Sequence, residues 1–534
     1  MAREIERSSS PGRLARAWDL LLAGRPLFAL VVAWLTTAGH TMNFREMGIA
    51  HGWVSTELYS LHTIFAVFIA LSLLACPSLG QRISCRNLAQ LGLLALAAAS
   101  FFNGLVVHAP HVWFLAGRAL AGASVGLVIY FAPRLLDSRW ENPTTWAAIV
   151  LPVTGAGAIS AATMIHAPSA WEWGFLVEGA AALLGLAALL SMAEMPERTP
   201  PVPQGSPAFL PFLVVASCAL VYGLHWGQLH GWLESGDIVV AAALGTLALV
   251  LAFLLVRRRI DFLALKEGWI RLLLFFFGGG CQFFHGTSMN IYGGLLLNFS
   301  TWQRSWLIWS LPLGGATSLV TVRLVRQHLQ IRVGLPGAIA GLLLLAAGMF
   351  HSYQQTIDWP YWQIQNVADL NWFQAPQHWE LAPGRFVMGL GIGLFMVAMD
   401  GLVSPDPERE ERIRPFLLVM QFYGSGVGIA LLVNAFLIGH PIHYSYAAER
   451  SYIQAEEFAE RQAVLRDALG QAGAPAPERQ AETLLYRMVN YESDNLVFAA
   501  IYATFMAVAL GLAALCLGLL IWRWLRAHPG PASP

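Results

Sequence analysis

From Val112 to Pro133 the chain reads VWFLAGRALAGASVGLVIYFAP, an apolar run broken by one charge, Arg118, and threaded by Gly117, Gly122 and Gly126. As a helix rising roughly 1.5 Å per residue, such a run crosses a hydrocarbon core about 30 Å thick. Small residues let membrane helices approach one another closely. A guanidinium in lipid needs a cavity, a carbonyl cluster or a carboxylate to face. The run is therefore predicted to be a membrane helix packed among others, with Arg118 either at a working site or as a fixed anchor between helices.

The rest of the chain extends this reading. Hydrophobic residues make up 56% of the 534 and charged residues 12%, which excludes a small secreted or disordered protein. About fourteen apolar stretches reach spanning length. The first six centre on Leu27 to Asn43, Leu58 to Cys76, Leu88 to Val107, Val112 to Pro133, Thr145 to Ile165 and Phe175 to Met192. Pro207 to Gly227 and Ile238 to Val256 follow, then Ile270 to Met289, Trp306 to Thr321, Gly334 to Phe350, Arg385 to Leu402, Phe416 to Ile438 and Leu496 to Trp522. The 32 basic and 32 acidic residues balance, so no global nucleic-acid footprint is present. Cys76, Cys85, Cys218, Cys281 and Cys516 show no CxxC spacing, and no HExxH or phosphate-loop pattern occurs.

Basic residues orient the spans. With the N-terminal tail in the cytosol, inner connections hold Arg82 and Arg86, Arg134 and Arg139, Arg257 to Arg259, and Arg409, Arg412 and Arg414. The outer connections before the last carry only Arg45, Arg304 and Arg385. This is the positive-inside bias, and it returns the C-terminus with Arg523 and Arg526 to the cytosol. The expected organisation is a tail (1–25), a six-span bundle (26–192), a linker with two inserted spans (193–269), a second six-span bundle (270–522) and a short tail (523–534). Two outer connections are long. The first, near 352–384, carries Trp359, Trp362, Trp372 and Trp379 and reads as a headgroup-level flap or a lid. The second, near 439–495, predicts a surface helix from Ala447 to Leu469 and a short one from Glu478 to Asn490.

Local motifs then carry a resemblance. Trp53 to Leu61 opens the second span, and Pro77, Leu79, Gly80, Gln81, Arg82 and Arg86 follow it. Gly117-Arg118 through Gly126 gives Arg-x-x-x-Gly-x-x-x-Gly, Trp171 to Phe175 opens the sixth span, and Gly231-Trp232-Leu233 precedes Arg257-Arg258-Arg259. In these motifs the chain resembles the fourteen-helix drug:proton antiporter branch of the major facilitator superfamily. The resemblance implies an all-α integral membrane protein, a two-bundle transporter with about fourteen transmembrane helices that rocks between two openings. The chain departs from that pattern where His40 and Asn43 replace an acid near the end of the first span. Gly155-Ala156-Gly157-Ala158 also lacks the branch's proline, and Glu178-Gly179 stands for Asn-Pro.

Arg118 and Glu178 are the expected coupling residues. A carboxyl taken out of water favours its neutral form, which would suit Glu178 to carry a proton; a place at the water boundary is the other reading. Asp400 and His40 are further coupling candidates; a helix-end interaction is the plainer reading of Asp400. Polar groups in apolar surroundings, Asn43, His62, Gln282, His285, Asn290, Gln421 and Tyr423, would line an organic-solute cavity or serve as interhelical hydrogen-bond groups. Glu46 and Glu57 are expected in the first outer loop, and His225 and His230 do not share a helical face. The resemblance implies proton-coupled export of an amphipathic compound, with no cofactor beyond protons. Proton-coupled uptake of an organic solute and a non-transporting receptor remain alternatives. Expected partners are membrane lipid, a small organic substrate and, for a Gram-negative host, a periplasmic adaptor. The expected location is the cell membrane, multi-pass, which is the inner membrane in such a host.

Overall fold

A computed structural model describes residues 24–106, 109–136, 171–192, 207–256, 268–281, 292–293, 299–329, 334–357, 378–400, 407–453, 455–471 and 473–527. These residues are almost wholly helical. The helices are α1 (Arg25–His51), α2 (Ser55–Leu79), α3 (Cys85–Leu105), α4 (His111–Phe131), α5 (Glu172–Leu190), α6 (Leu210–Trp226) and α7 (Gly236–Val256). They continue as α8 (Gly268–Cys281), α9 (Thr301–Leu329), α10 (Gly334–Ile357), α11 (His378–Asp400), α12 (Pro407–Ile453), α13 (Ala455–Gln471) and α14 (Pro477–Ala527). Among the described residues ten helices are long and apolar enough to cross a membrane, and three shorter apolar ones accompany them. The fifth expected span, Thr145 to Ile165, lies outside the described residues, so the sixth span is α5.

Close approach organises the first group. A Cβ at Gly122 would overlap the Phe65 carbonyl, and one at Gly126 the Ser72 hydroxyl, so α4 lies nearly backbone to backbone on α2. α3 packs on α4, and α5 packs on α3 and α1. Arg25 donates to the Ser191 carbonyl, and Arg86 to that of Leu190 at 3.1 Å, closing carbonyls that the end of α5 leaves open. At the opposite end of these helices His51 stacks on Trp53 (4.2 Å between centroids), and Phe114 and Trp171 meet His51 edge-on.

In the second group α11 sits between α9 and α10, and α10 packs on α14. Gly389 and Gly393 bring one face of α11 onto Leu311 and Gly315, while Gly391 brings the other onto Gly341. The two groups meet along α2 and α12. In α7, Val240 and Leu247 stand mostly exposed, as suits a helix facing lipid.

The last long connection differs from expectation. α12 does not stop near Ile438 but runs for 47 residues, and α14 runs for 51. At about 1.5 Å per residue both far exceed the bilayer core. Beyond the core α13 packs on the start of α14 through Leu465, Leu469, Ala481 and Leu485, and Tyr444 of α12 meets Tyr486 of α14 edge-on, so the three form one helical projection. Glu478 to Asn490 is thus the first part of α14, not a separate short helix. Pro441 sits inside α12, where its ring removes one backbone bond without ending the helix.

Candidate functional site

The polar centre of the first group is assembled from four helices. Arg118 on α4 is 1% exposed, and its guanidinium lies 4.0 Å over the Phe65 ring of α2, a cation–π contact. Glu178, in the second turn of α5, is 8% exposed; Ser100 of α3 donates to its Oε2 at 3.4 Å. Arg118 and Glu178 are close enough for each to feel the other's charge, and Arg118 also acts on His62 of α2. His62 is fully buried and tilts against Phe65 at 6.2 Å. Asn103 of α3 presses on Gly117, where a Cβ would overlap its Oδ1, so this helix crossing requires glycine beside the arginine.

The structure therefore brings together Arg118, Glu178 and His62, and adds Ser100 and Asn103, which the sequence reading did not single out. Both added residues sit on the apolar run of α3 as isolated small polar side chains, and only their position opposite α4 and α5 distinguishes them. His40 and Asn43 lie on α1, and Asp400 ends α11, but their side chains fall outside the described residues, as do Gln282, His285 and Asn290 altogether. Gly155 and Gly157 lie outside them too, together with Trp359, Trp362 and Trp372.

Besides His62, two of the cavity candidates are described, and Tyr423 serves as an interhelical hydrogen-bond group, the other reading of these residues. Tyr423 of α12 bonds to Ser217 of α6 (2.5 Å between oxygens), so its hydroxyl meets an inserted helix. Gln421 is buried, with its carbonyl against Gly279 of α8. Glu57 is a helix-start residue: its carboxylate accepts from the Val54 backbone N–H at 3.1 Å. Arg304 and Arg385, read from sequence as belonging to outer connections, are both 1% exposed inside α9 and α11. Arg304 stands beside Tyr59 of α2, across the boundary between the groups, and Arg385 beside Tyr502 of α14. Their nearness to the span ends concealed them, because hydropathy assigns a terminal arginine to water.

A cavity of about 450 Å³ opens between α9 and α11, lined chiefly by Trp306, Trp309, Trp379 and Phe386. It is lined by none of the residues around Arg118, and its aromatic wall suits the headgroup level of a membrane more than a proton site. Among the described residues no group of three His, Cys, Asp or Glu side chains is placed to hold a metal ion, and none of the five cysteines is in a disulfide.

No family model matches the chain, and no curated protein matches it in sequence. Solved structures do match in fold. A POT family transporter in complex with 5-aminolevulinic acid is 13% identical, with 92% of this chain and 96% of that chain covered and a TM-score of 0.56. A structure addressing substrate recognition in proton dependent oligopeptide transporters is 14% identical, with 93% and 98% covered and a TM-score of 0.53. The nucleoside transporter NupG is 10% identical, with 92% and 98% covered and a TM-score of 0.52. This likeness overturns the resemblance to the drug:proton antiporter branch, and with it the expectation of efflux by antiport. The physical reason lies in the motifs. The glycine track of α4 is what its close packing on α2 and α3 requires, and packing of that kind does not separate one branch from another. What the comparisons show is the fold alone: an all-α, multi-pass, two-bundle arrangement of about fourteen helices, shared with these solved transporters.

Proposed function

We propose that this protein takes up a small polar organic solute together with protons, by alternating access between its two helix groups. The buried Arg118–Glu178 pair carries the reading: a carboxylate out of water, beside one guanidinium, in a fold it shares with proton dependent oligopeptide transporters. Protonation of Glu178 removes its attraction for Arg118, which leaves the arginine to seek another partner and favours a different helix arrangement. His62, Ser100 and Asn103 complete the polar surroundings of that pair. Asp400 and His40 stand as secondary coupling candidates. Both termini face the cytosol in this reading, following the arginine bias of the connections. Oligopeptides, 5-aminolevulinic acid and nucleosides, named for the proteins of similar fold, define the probes.

The test uses purified protein in proteoliposomes that enclose a pH-sensitive dye, with the outside more acidic than the lumen. Alanyl-alanine, 5-aminolevulinic acid and uridine are added in turn. Solute-dependent acidification of the lumen in the wild type, lost in a folded Glu178→Gln variant, is the expected result. Acidification that persists unchanged in Glu178→Gln refutes the assignment of the proton site. Failure of every probe to accumulate under the gradient refutes this uptake reading for the solute classes proposed.

A further inference from the structure

The helix α6 lies along the seam between the two groups and touches both. Toward the first group it is mainly apolar, with one hydrogen bond: Val221, Leu213 and Val214 pack against Ile64, Val67 and Leu71 of α2 and Leu115 of α4. His225 Nε2 adds a contact to Thr63 Oγ1 at 2.8 Å. Toward the second group, among the described residues, its side-chain hydrogen bonds fall on α12, beside an apolar contact of the Tyr423 ring. Ser217 and Tyr423 bond at 2.5 Å, and Asn434 Nδ2 donates to the Leu224 carbonyl at 2.6 Å. These two bonds are separated by two helical turns of α6, so they fix its height and rotation against α12.

The two kinds of contact differ in what separation costs. Apolar side chains that leave one helix in a bilayer find lipid tails of the same character, whereas a hydroxyl or amide that leaves its partner there is left unsatisfied. We propose that α6 is a clasp across the seam: it rides on the first group and grips α12 through Tyr423 and Asn434, and the grip must release when the groups part. Thr63 marks where the grip acts, because its hydroxyl also reaches the Gly426 carbonyl of α12 at 3.4 Å, at the same junction. The clasp therefore favours the arrangement in which α2 and α12 are together. Removing either bond shifts the balance toward the parted arrangement by about threefold, the mean worth of one interhelical hydrogen bond in a bilayer, and removing both by about eightfold.

This inference rests on the two-group carrier reading but on no particular solute, and its test needs none. Spin labels at Val112→Cys on α4 and Trp302→Cys on α9, both exposed helix starts, report the separation of the groups in the full-length protein in lipid nanodiscs, with Cys218→Ala removing the partly exposed native thiol. Tyr423→Phe and Asn434→Leu are each expected to enlarge the longer-distance population about threefold, with helix content and melting unchanged. In a second arm without spin labels, Ser217→Cys and Tyr423→Cys are joined by a short bifunctional thiol reagent, and the separation is read by fluorescence transfer between non-thiol probes at the same two positions. Joining is expected to leave one population, the shorter. Unaltered distributions in both single variants, or a cross-linked protein that retains both populations, overturns the clasp. Either result leaves the proteoliposome experiment on uptake standing by itself.

Discussion

Glu178→Gln offers the sharpest energetic test of the buried pair. The amide has nearly the carboxyl's shape and can still accept from Ser100, so the substitution removes charge and little else. What remains is a guanidinium 1% exposed without its carboxylate. A contact ion pair broken from one side costs about 3–5 kcal/mol, an upper bound here because no nitrogen of the Arg118 guanidinium hydrogen-bonds the Glu178 carboxylate. The Phe65 ring, 4.0 Å from the Arg118 guanidinium, stays in place and stabilises that charge equally before and after the substitution. The expected loss of stability is therefore at most about 3–5 kcal/mol. Removing the partner as well, in Arg118→Met with Glu178→Gln, takes away the uncompensated charge and should return the protein to within about 1 kcal/mol of wild type. Denaturant titration in mild detergent, followed by tryptophan fluorescence, measures all four corners of the cycle. A coupling of at least roughly 2 kcal/mol is expected. Additive losses, with coupling below about 0.5 kcal/mol, would show that the two groups do not pair and would remove the physical basis of the proposed proton site.

Further substitutions probe separate links. Gly122→Leu drives a side chain into the Phe65 carbonyl and should abolish a correctly assembled protein, seen as loss of the monodisperse peak on size exclusion, whereas Gly122→Ala should cost about 1–3 kcal/mol. Leu485→Ala, at a position 1% exposed in the projection, should cost about 2–5 kcal/mol locally. Hydrogen exchange should then accelerate in α13 and the start of α14 while α2 and α4 keep their protection; uniform loss of protection would mean the projection is not an independent packing unit. Asn103→Leu keeps the volume near Gly117 but removes the amide, and should change the pH dependence of uptake more than its maximal rate. Equal effects on both would assign Asn103 to packing alone.

Much of the fold was legible because lipid imposes a plain rule: a spanning segment must be long and apolar. Arg118 was legible for the same reason, as a charge in the middle of such a run. Arg304 and Arg385 were not, since each lies within a few residues of a span boundary and hydropathy cannot tell a terminal arginine in water from one folded inward. Tyr423 was recognised as a polar group in an apolar helix, but a sequence does not say which neighbour that face meets, and the neighbour is α6 rather than an open cavity. The course of α12 was hidden by Gly439-His440-Pro441, which reads as a helix stop; tertiary packing carried the helix through it. The branch was misread because small-residue tracks encode close packing, a demand common to many membrane bundles.

These features converge on α12. Near the boundary where the projection begins, His440 Nδ1 lies 2.6 Å from Asp494 Oδ1 of α14, and Ser493 donates to the His440 carbonyl at 3.0 Å. Asn495 of α14 donates in turn to the Thr356 carbonyl of α10. The base of the projection is thereby tied to three helices of the second group, and the projection moves with that group. One to five turns deeper, the same uninterrupted helix presents Asn434, Gly426 and Tyr423 to α6 and α2. A continuous hydrogen-bonded helix resists bending, so displacement of its outer end reaches those contacts with little loss, except where Pro441 omits a backbone bond. The seam between the groups is therefore held on the stretch of α12 inward of Pro441, the same helix whose His440 ties the base of the projection to α14.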